Sequence, residues 1–462
     1  MIYTKYSEKG FFPRNKIYKR PSSQMSMAYE IIIGRDEGDK KIFGDRGLIY
    51  LGKGYVKMGN YTSLSNTIKL DVARTHVMLI AGKRGSGKSY TLGAIAEELS
   101  DLPKEVSSNI APIIFDTMGI FWTMKYKNEK EPELLEQWNL KSKNLPVKVF
   151  APKGYFDKYL KEGIPVDEKF ALAVSELNAE DWVITFKLDM IHPVSVIIQR
   201  TITALREKEN YDIQDIIDYI KKDTTSSQEN RNATIGLFEA AETWGLFSEK
   251  SEEGTKISDI INRGMTSVID LSVYNSIGTF NVRALVIGLL CRKLFDTRML
   301  ARKAEEVESV YRGVDYLSAN DKRKEPLVWI FIDEAHEFLP LEGSTAASDA
   351  LIQLLREGRQ PGISLVLATQ QPGQIHRDAM TQADIVIAHR VTAEPDVKAL
   401  NYIMQSYLLE GIKKYMDDLP ALKGSAILLD DNSERIYPIR VRPRFTWHGG
   451  EAPTAIKVEK RL

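Results

Sequence analysis

From Val77 to Leu99 the chain runs Val-Met-Leu-Ile-Ala, then Gly82-Lys83-Arg84-Gly85-Ser86-Gly87-Lys88-Ser89, then Tyr90-Thr91-Leu92-Gly93-Ala94-Ile95-Ala96-Glu97-Glu98-Leu99. The octapeptide fits G-x-x-x-x-G-K-[ST], and its flanks supply the strand before and the helix after that the motif needs. Three glycines let the backbone curl so that successive N–H groups point inward, above the positive end of the following helix. A polyphosphate fits such a cradle. Gly82, Lys83, Arg84, Gly85, Ser86, Gly87 and Tyr90 would line it, Lys88 would reach the β- and γ-phosphates, and Ser89 would ligate a bridging Mg2+. ATP and Mg2+ are the expected cofactors, and an α/β sheet is the expected setting.

A second run, Leu327-Val328-Trp329-Ile330-Phe331-Ile332, ends in Asp333-Glu334. A buried strand of this kind delivers the first acid to the metal and the second to the attacking water, whose proton a carboxylate accepts. Further on, Leu354-Leu355-Arg356-Glu357-Gly358-Arg359 closes a helix at a glycine break. Arg356 and Arg359 either meet developing phosphoryl charge, for which a forked and permanent cation is suited, or form surface ion pairs. In Ala368-Thr369-Gln370-Gln371-Pro372, Gln370 either senses the γ-phosphate and holds the water or caps the next helix. Asp116, closing the run Ile113-Ile114-Phe115, either holds a water of the metal or closes a turn.

Lys plus Arg and Asp plus Glu both number 63, so no global field draws the chain to nucleic acid or membrane, and any DNA contact must come from a local patch. Cys291 is the sole cysteine, in an apolar helical stretch, which excludes a disulfide framework and suits a reducing cytoplasm. With no signal-type or membrane-length apolar run, a soluble cytoplasmic protein is expected.

The pattern divides the chain into an N-terminal arm and small β element (1–60), a first core part (61–150), a mostly helical insertion (151–262), a second core part (263–445) and a tail (446–462). A long helix is expected from about Asn281 to Arg312, and a last hairpin at Ser425 to Asn432 and Ile436 to Val441. Asp333-Glu334-Ala335-His336 spells the box of a large monomeric helicase class. That class carries a late Gln-Arg-x-x-Arg pattern in a second nucleotide fold, which is not found after Gln370, so His336 reads as a helix-start residue. No Leu-Ser-Gly-Gly signature of ABC transporters occurs either.

With these motifs in order, residues 45 to 445 resemble the HerA/FtsK superfamily of ring-forming DNA-translocating ATPases, in its HerA branch. Arg356-Glu357-Gly358-Arg359 and Thr369-Gln370-Gln371-Pro372 are the branch-specific pieces. The resemblance implies a RecA-like P-loop core with a helical subdomain, a hexamer with ATP between neighbours, and double-stranded DNA in the pore. Lys88, Ser89, Asp333, Glu334 and Gln370 would then hold phosphate, metal, water and sensor roles. Arg356, Arg359 and Arg74 become sensor or trans-acting candidates. Ile120 stands where the branch has an acid, and fewer than 70 residues precede the core, so the branch's N-terminal barrel is expected to be reduced. Leu339 to Thr345 would supply salt-sensitive pore contacts. A nuclease or other effector is the implied partner; the alternative is a nucleotide-gated ring scaffold that does not translocate.

Overall fold

The computed structural model describes residues 29–58, 61–208, 210–249, 254–276, 280–312, 323–404 and 412–450. Residues 1–28 of the expected N-terminal arm and small β element, and residues 451–462 of the expected tail, lie outside them. Thirteen strands are described: β1 Glu30–Ile33, β2 Leu48–Met58, β3 Tyr61–Asp71, β4 Val77–Ala81, β5 Ile110–Asp116, β6 Val147–Pro152, β7 Glu168–Phe170, β8 Thr266–Asp270, β9 Leu327–Ile332, β10 Ile363–Thr369, β11 Ile385–His389, β12 Ser425–Asp430 and β13 Arg435–Val441. They form one sheet in the order β1-β3-β2-β13-β12-β11-β4-β10-β9-β5-β8-β6-β7.

From β11 to β7 every neighbouring pair is parallel. Parallel strands carry helical crossovers and are covered on both faces, which is why their sequences are continuous apolar runs. Met78 and Ile80 face one core, while Leu79 and Ala81 face the other. The second core continues into the helices Ala179–Thr185, Pro193–Leu205, Ile213–Lys221 and Gln228–Glu242. There Trp182 stacks with Phe186 at 5.6 Å and meets Phe238 edge-on at 5.0 Å. Capping boxes at Asn178–Asp181 and Asp212–Asp215 start two of these helices.

The segment expected to be a helical insertion also contributes to the sheet. Val147–Pro152 runs past the expected boundary, and Glu168–Phe170 forms the parallel edge strand. Three residues containing a Glu-Lys pair carry too little periodicity to be read as a strand. The expected long helix is Val282–Arg312, with Cys291 fully buried in it and burial raising its thiol pKa.

At the other end the small β element continues the core sheet, because β13 pairs with β2. Gly52 permits this: a Cβ there would lie 2.2 Å from the Arg440 carbonyl oxygen. A buried charge cluster ties this end to β4. Arg35 Nε donates to Asp71 Oδ1 at 2.8 Å, and His76, at the foot of β4, bridges Asp384 Oδ2 (2.6 Å) and Asp71 Oδ2 (3.4 Å). Burial alone would lower the His76 pKa, but the two carboxylates raise it to about 9.

The chain after β13 folds back over the helix Lys88–Asp101. Glu97, fully buried, accepts from Arg442 Nη2 (3.1 Å), Arg444 Nε (2.8 Å) and the Phe445 and Thr446 amides (both 3.2 Å). Thr446, assigned from sequence to a tail, is thus fully buried. No helix among the described residues is long and apolar enough to cross a membrane.

Candidate active site

In an open parallel sheet the strand ends at the carboxyl edge form the ligand crevice. β4, β10 and β9 end side by side there, with Thr369 opposite Ala81 and Leu367 opposite Ile332. Three segments far apart in sequence therefore meet: the Gly82–Ser89 loop, Asp333-Glu334 and Thr369-Gln370.

The loop is pinned at both sides. The Gly82 amide donates to the Thr369 carbonyl at 3.2 Å and the Lys83 amide to the Arg390 carbonyl at 3.0 Å. A Cβ on Gly82 would meet Ser86 Oγ at 2.4 Å and His389 Cβ at 2.7 Å. Gly87 has φ +113°, which disfavours any residue with a Cβ. Lys83 and Arg84 are exposed, while Ser86 Oγ is buried without a hydrogen-bond partner.

Lys88 opens the helix and is 5% exposed. Its ammonium reaches the Lys83 carbonyl at 3.4 Å. Burial lowers its pKa, and Glu334 and Asp333 pull the other way. The Ser89 hydroxyl donates to Asp333 Oδ2 at 2.5 Å. Asp333 is buried, which raises its pKa against the Ser89 hydrogen bond. Glu334 sits at φ +51°, donates its amide to Asp333 Oδ1 at 2.9 Å, and accepts the Gln370 side-chain amide on Oε1. Its Oε2 is buried without a partner.

These features fit a triphosphate with a divalent cation. A buried ammonium with donors to spare, a curled amide loop and an orphaned hydroxyl at Ser86 call for an anion. Ser89 and Asp333 together offer a hydroxyl and a carboxylate to a hard cation. The unpartnered oxygen of Glu334 is a proton acceptor at the end where Lys88 would hold the γ-phosphate.

Other expectations resolve differently. The Tyr90 side chain leaves the cradle: its hydroxyl donates to Glu131 at 3.1 Å and accepts from the Arg444 amide at 2.6 Å, with the His448 ring edge-on at 5.1 Å. Asp116 closes a turn, accepting the Met118, Gly119 and Phe121 amides at 3.2, 2.8 and 2.7 Å. Burial, with Asp270 opposite, lifts its pKa to about 7. His336 does lie in a one-turn helix, Ala335–Glu337, but its ring enters the site, with Nδ1 3.2 Å from Thr369 Oγ1.

Arg74, Arg356 and Arg359 make their bonds elsewhere. Arg74 precedes β4 and binds Asp39 twice, at 2.9 and 2.6 Å. Arg359 precedes β10, and its carbonyl accepts from Thr75 Oγ1 at 3.4 Å. Arg356 Nε donates to Asp378 at 2.6 Å. All three are exposed. Arg74 and Arg359 stand at the amino ends of β4 and β10, a strand's length of roughly 17 Å from the Gly82–Ser89 loop, and Arg356 lies near the end of the helix Ser348–Glu357. The bonds these three arginines make go to Asp39, Thr75 and Asp378 and not to the cradle.

His389 was missed by sequence reasoning. Fully buried beneath the loop, it donates from Nδ1 to the Ser425 carbonyl (3.1 Å) and accepts the Thr91 hydroxyl on Nε2 (2.9 Å), and burial lowers its pKa to about 4. A neutral ring there adds no charge to compete with Lys88. The only cue was a histidine at the end of an apolar strand.

The family model described as Helicase HerA, central domain, matches residues 56–294. The DNA double-strand break repair helicase HerA of Pyrococcus furiosus is 28% identical over 184 residues, covering 37% of this chain and 31% of that protein. A probable helicase of Methanocaldococcus jannaschii is 22% identical over 418 residues, covering 85% of this chain and 66% of that one. Among solved structures, VirB4 of Thermoanaerobacter pseudethanolicus superposes with a TM-score of 0.52 at 13% identity, covering 87% of this chain and 97% of that one, a likeness of fold. The chain thus spans less than two thirds of the length of these curated relatives.

Proposed function

The chain belongs to the family of the HerA helicase central domain, and from that premise we propose that it is an ATP-driven motor that moves along double-stranded DNA as a ring of six copies. A nuclease or other effector in DNA end processing or defence is its proposed partner. The observation that carries the reading is the convergence of Lys88, Ser89, Asp333 and Glu334 at one sheet edge, with Ser89 and Asp333 already hydrogen-bonded.

In this reading the loop amides and Lys88 orient the triphosphate. Ser89 and Asp333 would hold Mg2+, which when bound offsets charge between the β- and γ-phosphates. Glu334 Oε2 accepts the proton of the attacking water, and Gln370 lies beside it to sense the γ-phosphate. Because Arg74 and Arg359 lie at the amino ends of β4 and β10 and Arg356 is exposed on its helix and paired with Asp378, we assign them to the neighbouring subunit's site, where a cation would stabilise the transferring phosphoryl group. The loop Leu339–Thr345 is the proposed pore contact.

Steady-state ATP hydrolysis with and without duplex DNA tests this. Stimulation by DNA that Lys88→Ala abolishes is expected. Equal turnover in Lys88→Ala overturns the site, and ATP-dependent assembly with no DNA stimulation favours a ring scaffold.

A further inference from the structure

Glu334 is restrained more heavily than a water-activating base requires. Its backbone is left-handed, a conformation that residues with a Cβ rarely adopt and that surrounding contacts must enforce. Gln370 Nε2 donates to its Oε1. His336 Nδ1 stands 3.7 Å from its Oε2, yet that nitrogen already faces the Thr369 hydroxyl at 3.2 Å. Thr369 Oγ1 in turn accepts the Gln371 amide at 3.0 Å, so its proton is left for the His336 lone pair. The ring therefore walls Oε2 without satisfying it, and among the described residues the direct tether on the carboxylate is the Gln370 amide.

The sheet order gives this tether a second neighbour. β10 lies between β4 and β9, so Gln370 at its end is flanked by the Gly82–Ser89 loop on one side and Glu334 on the other. The Thr369 carbonyl already accepts the Gly82 amide. A γ-phosphate held by Lys88 would thus offer the Gln370 amide a rival anionic acceptor.

Resting on the nucleotide-hydrolase reading, we propose that Gln370 is a positioning residue that stows Glu334, and that a γ-phosphate oxygen, by capturing the Gln370 amide, frees the base. A triphosphate releases Glu334; a diphosphate, lacking the competing oxygen, leaves it stowed. Turnover is thereby coupled to a loaded site.

The test is a double-mutant cycle in binding alone, with AMP-PNP and ADP titrated against the full-length protein, Glu334→Ala, Gln370→Leu and the double variant. Triphosphate binding must break the tether in the parent, so Glu334→Ala should tighten AMP-PNP about tenfold more when Gln370 is present than when it is Leu, the worth of a hydrogen bond to a charged group. ADP affinity should shift equally in both backgrounds, and its retention reports that the variants fold. Glu334→Asp, which keeps the charge but shortens the reach, should reproduce the effect and stands in if the alanine variant does not fold. Equal tightening of AMP-PNP in both backgrounds would overturn the tether. If Lys88→Ala leaves both nucleotide affinities unchanged, the nucleotide reading fails instead.

Discussion

The Ser89 hydroxyl lies 2.5 Å from Asp333 Oδ2, joining the P-loop helix to the end of β9. The Glu334 amide holds Asp333 Oδ1, leaving Oδ2 to the Ser89 hydroxyl, and both groups are oxygen donors suited to a hard cation. Asp333→Asn should therefore raise the Mg2+ concentration for half-maximal nucleotide binding by about 10- to 100-fold. Titrating Mg2+ at fixed nucleotide checks this; an unchanged midpoint would remove Asp333 from the metal site.

Glu334 carries an unsatisfied buried carboxylate oxygen beside the cradle. Glu334→Gln keeps the size and removes the base, so kcat should fall by about 10²- to 10⁴-fold while nucleotide affinity is retained. Parallel measurement of hydrolysis and equilibrium binding separates the two quantities.

Arg359 lies at the amino end of β10, away from the cradle, and Arg356 is exposed and paired with Asp378, so in a ring they serve a neighbour's site or none. Lys88→Ala and Arg359→Ala proteins, each inactive alone, should regain hydrolysis when mixed, because some interfaces then join an intact cradle to an intact arginine. Absence of recovery across mixing ratios, with mixed rings demonstrated, would place the arginine's action elsewhere; the same experiment with Arg356→Ala assigns the trans residue.

What the sequence made legible was whatever chemistry is local. The P-loop, the Asp333-Glu334 strand end and Thr369-Gln370 each announce themselves within ten residues, and the parallel core follows from apolar runs separated by helices. The contacts that were not legible join distant segments. Glu97 meets Arg442 and Arg444 more than three hundred residues away, and no local period marks a helix glutamate as the anchor of a returning strap. The same holds for His389 under the P-loop, and for β13, whose pairing with β2 turns a small β element into a continuation of the core sheet. Asp116 shows the converse: the motif was visible, but three nearby backbone amides determine that it closes a turn.

That strap makes a stability prediction. Glu97 is fully buried with two guanidinium partners, so Glu97→Gln, which leaves buried positive charge poorly compensated, should cost about 3–5 kcal/mol. Gly93→Ala would set a Cβ 2.5 Å from Arg444 Nη1 and should cost about 1–3 kcal/mol by overpacking. Denaturant unfolding of both variants measures these costs, and parent-like midpoints would contradict the strap's role.

His76 makes stability depend on pH. Its folded pKa of about 9 lies above the ordinary 6.5, so its contribution is fully present below about 6.5 and is lost as pH rises through 9. The parent should lose stability across that window, and His76→Gln should flatten the dependence there while being less stable at pH 6. Unfolding midpoints from pH 6 to 10 check the sign; parallel curves for the two proteins would show that His76 carries no such linkage.

Movement itself is the most direct test. With ATP and Mg2+, the parent protein loaded on duplex DNA should displace a triplex-forming third strand at a rate that follows ATP hydrolysis, and Glu334→Gln should leave the strand in place. A parent protein that hydrolyses ATP on duplex DNA yet never displaces the strand would contradict the motor.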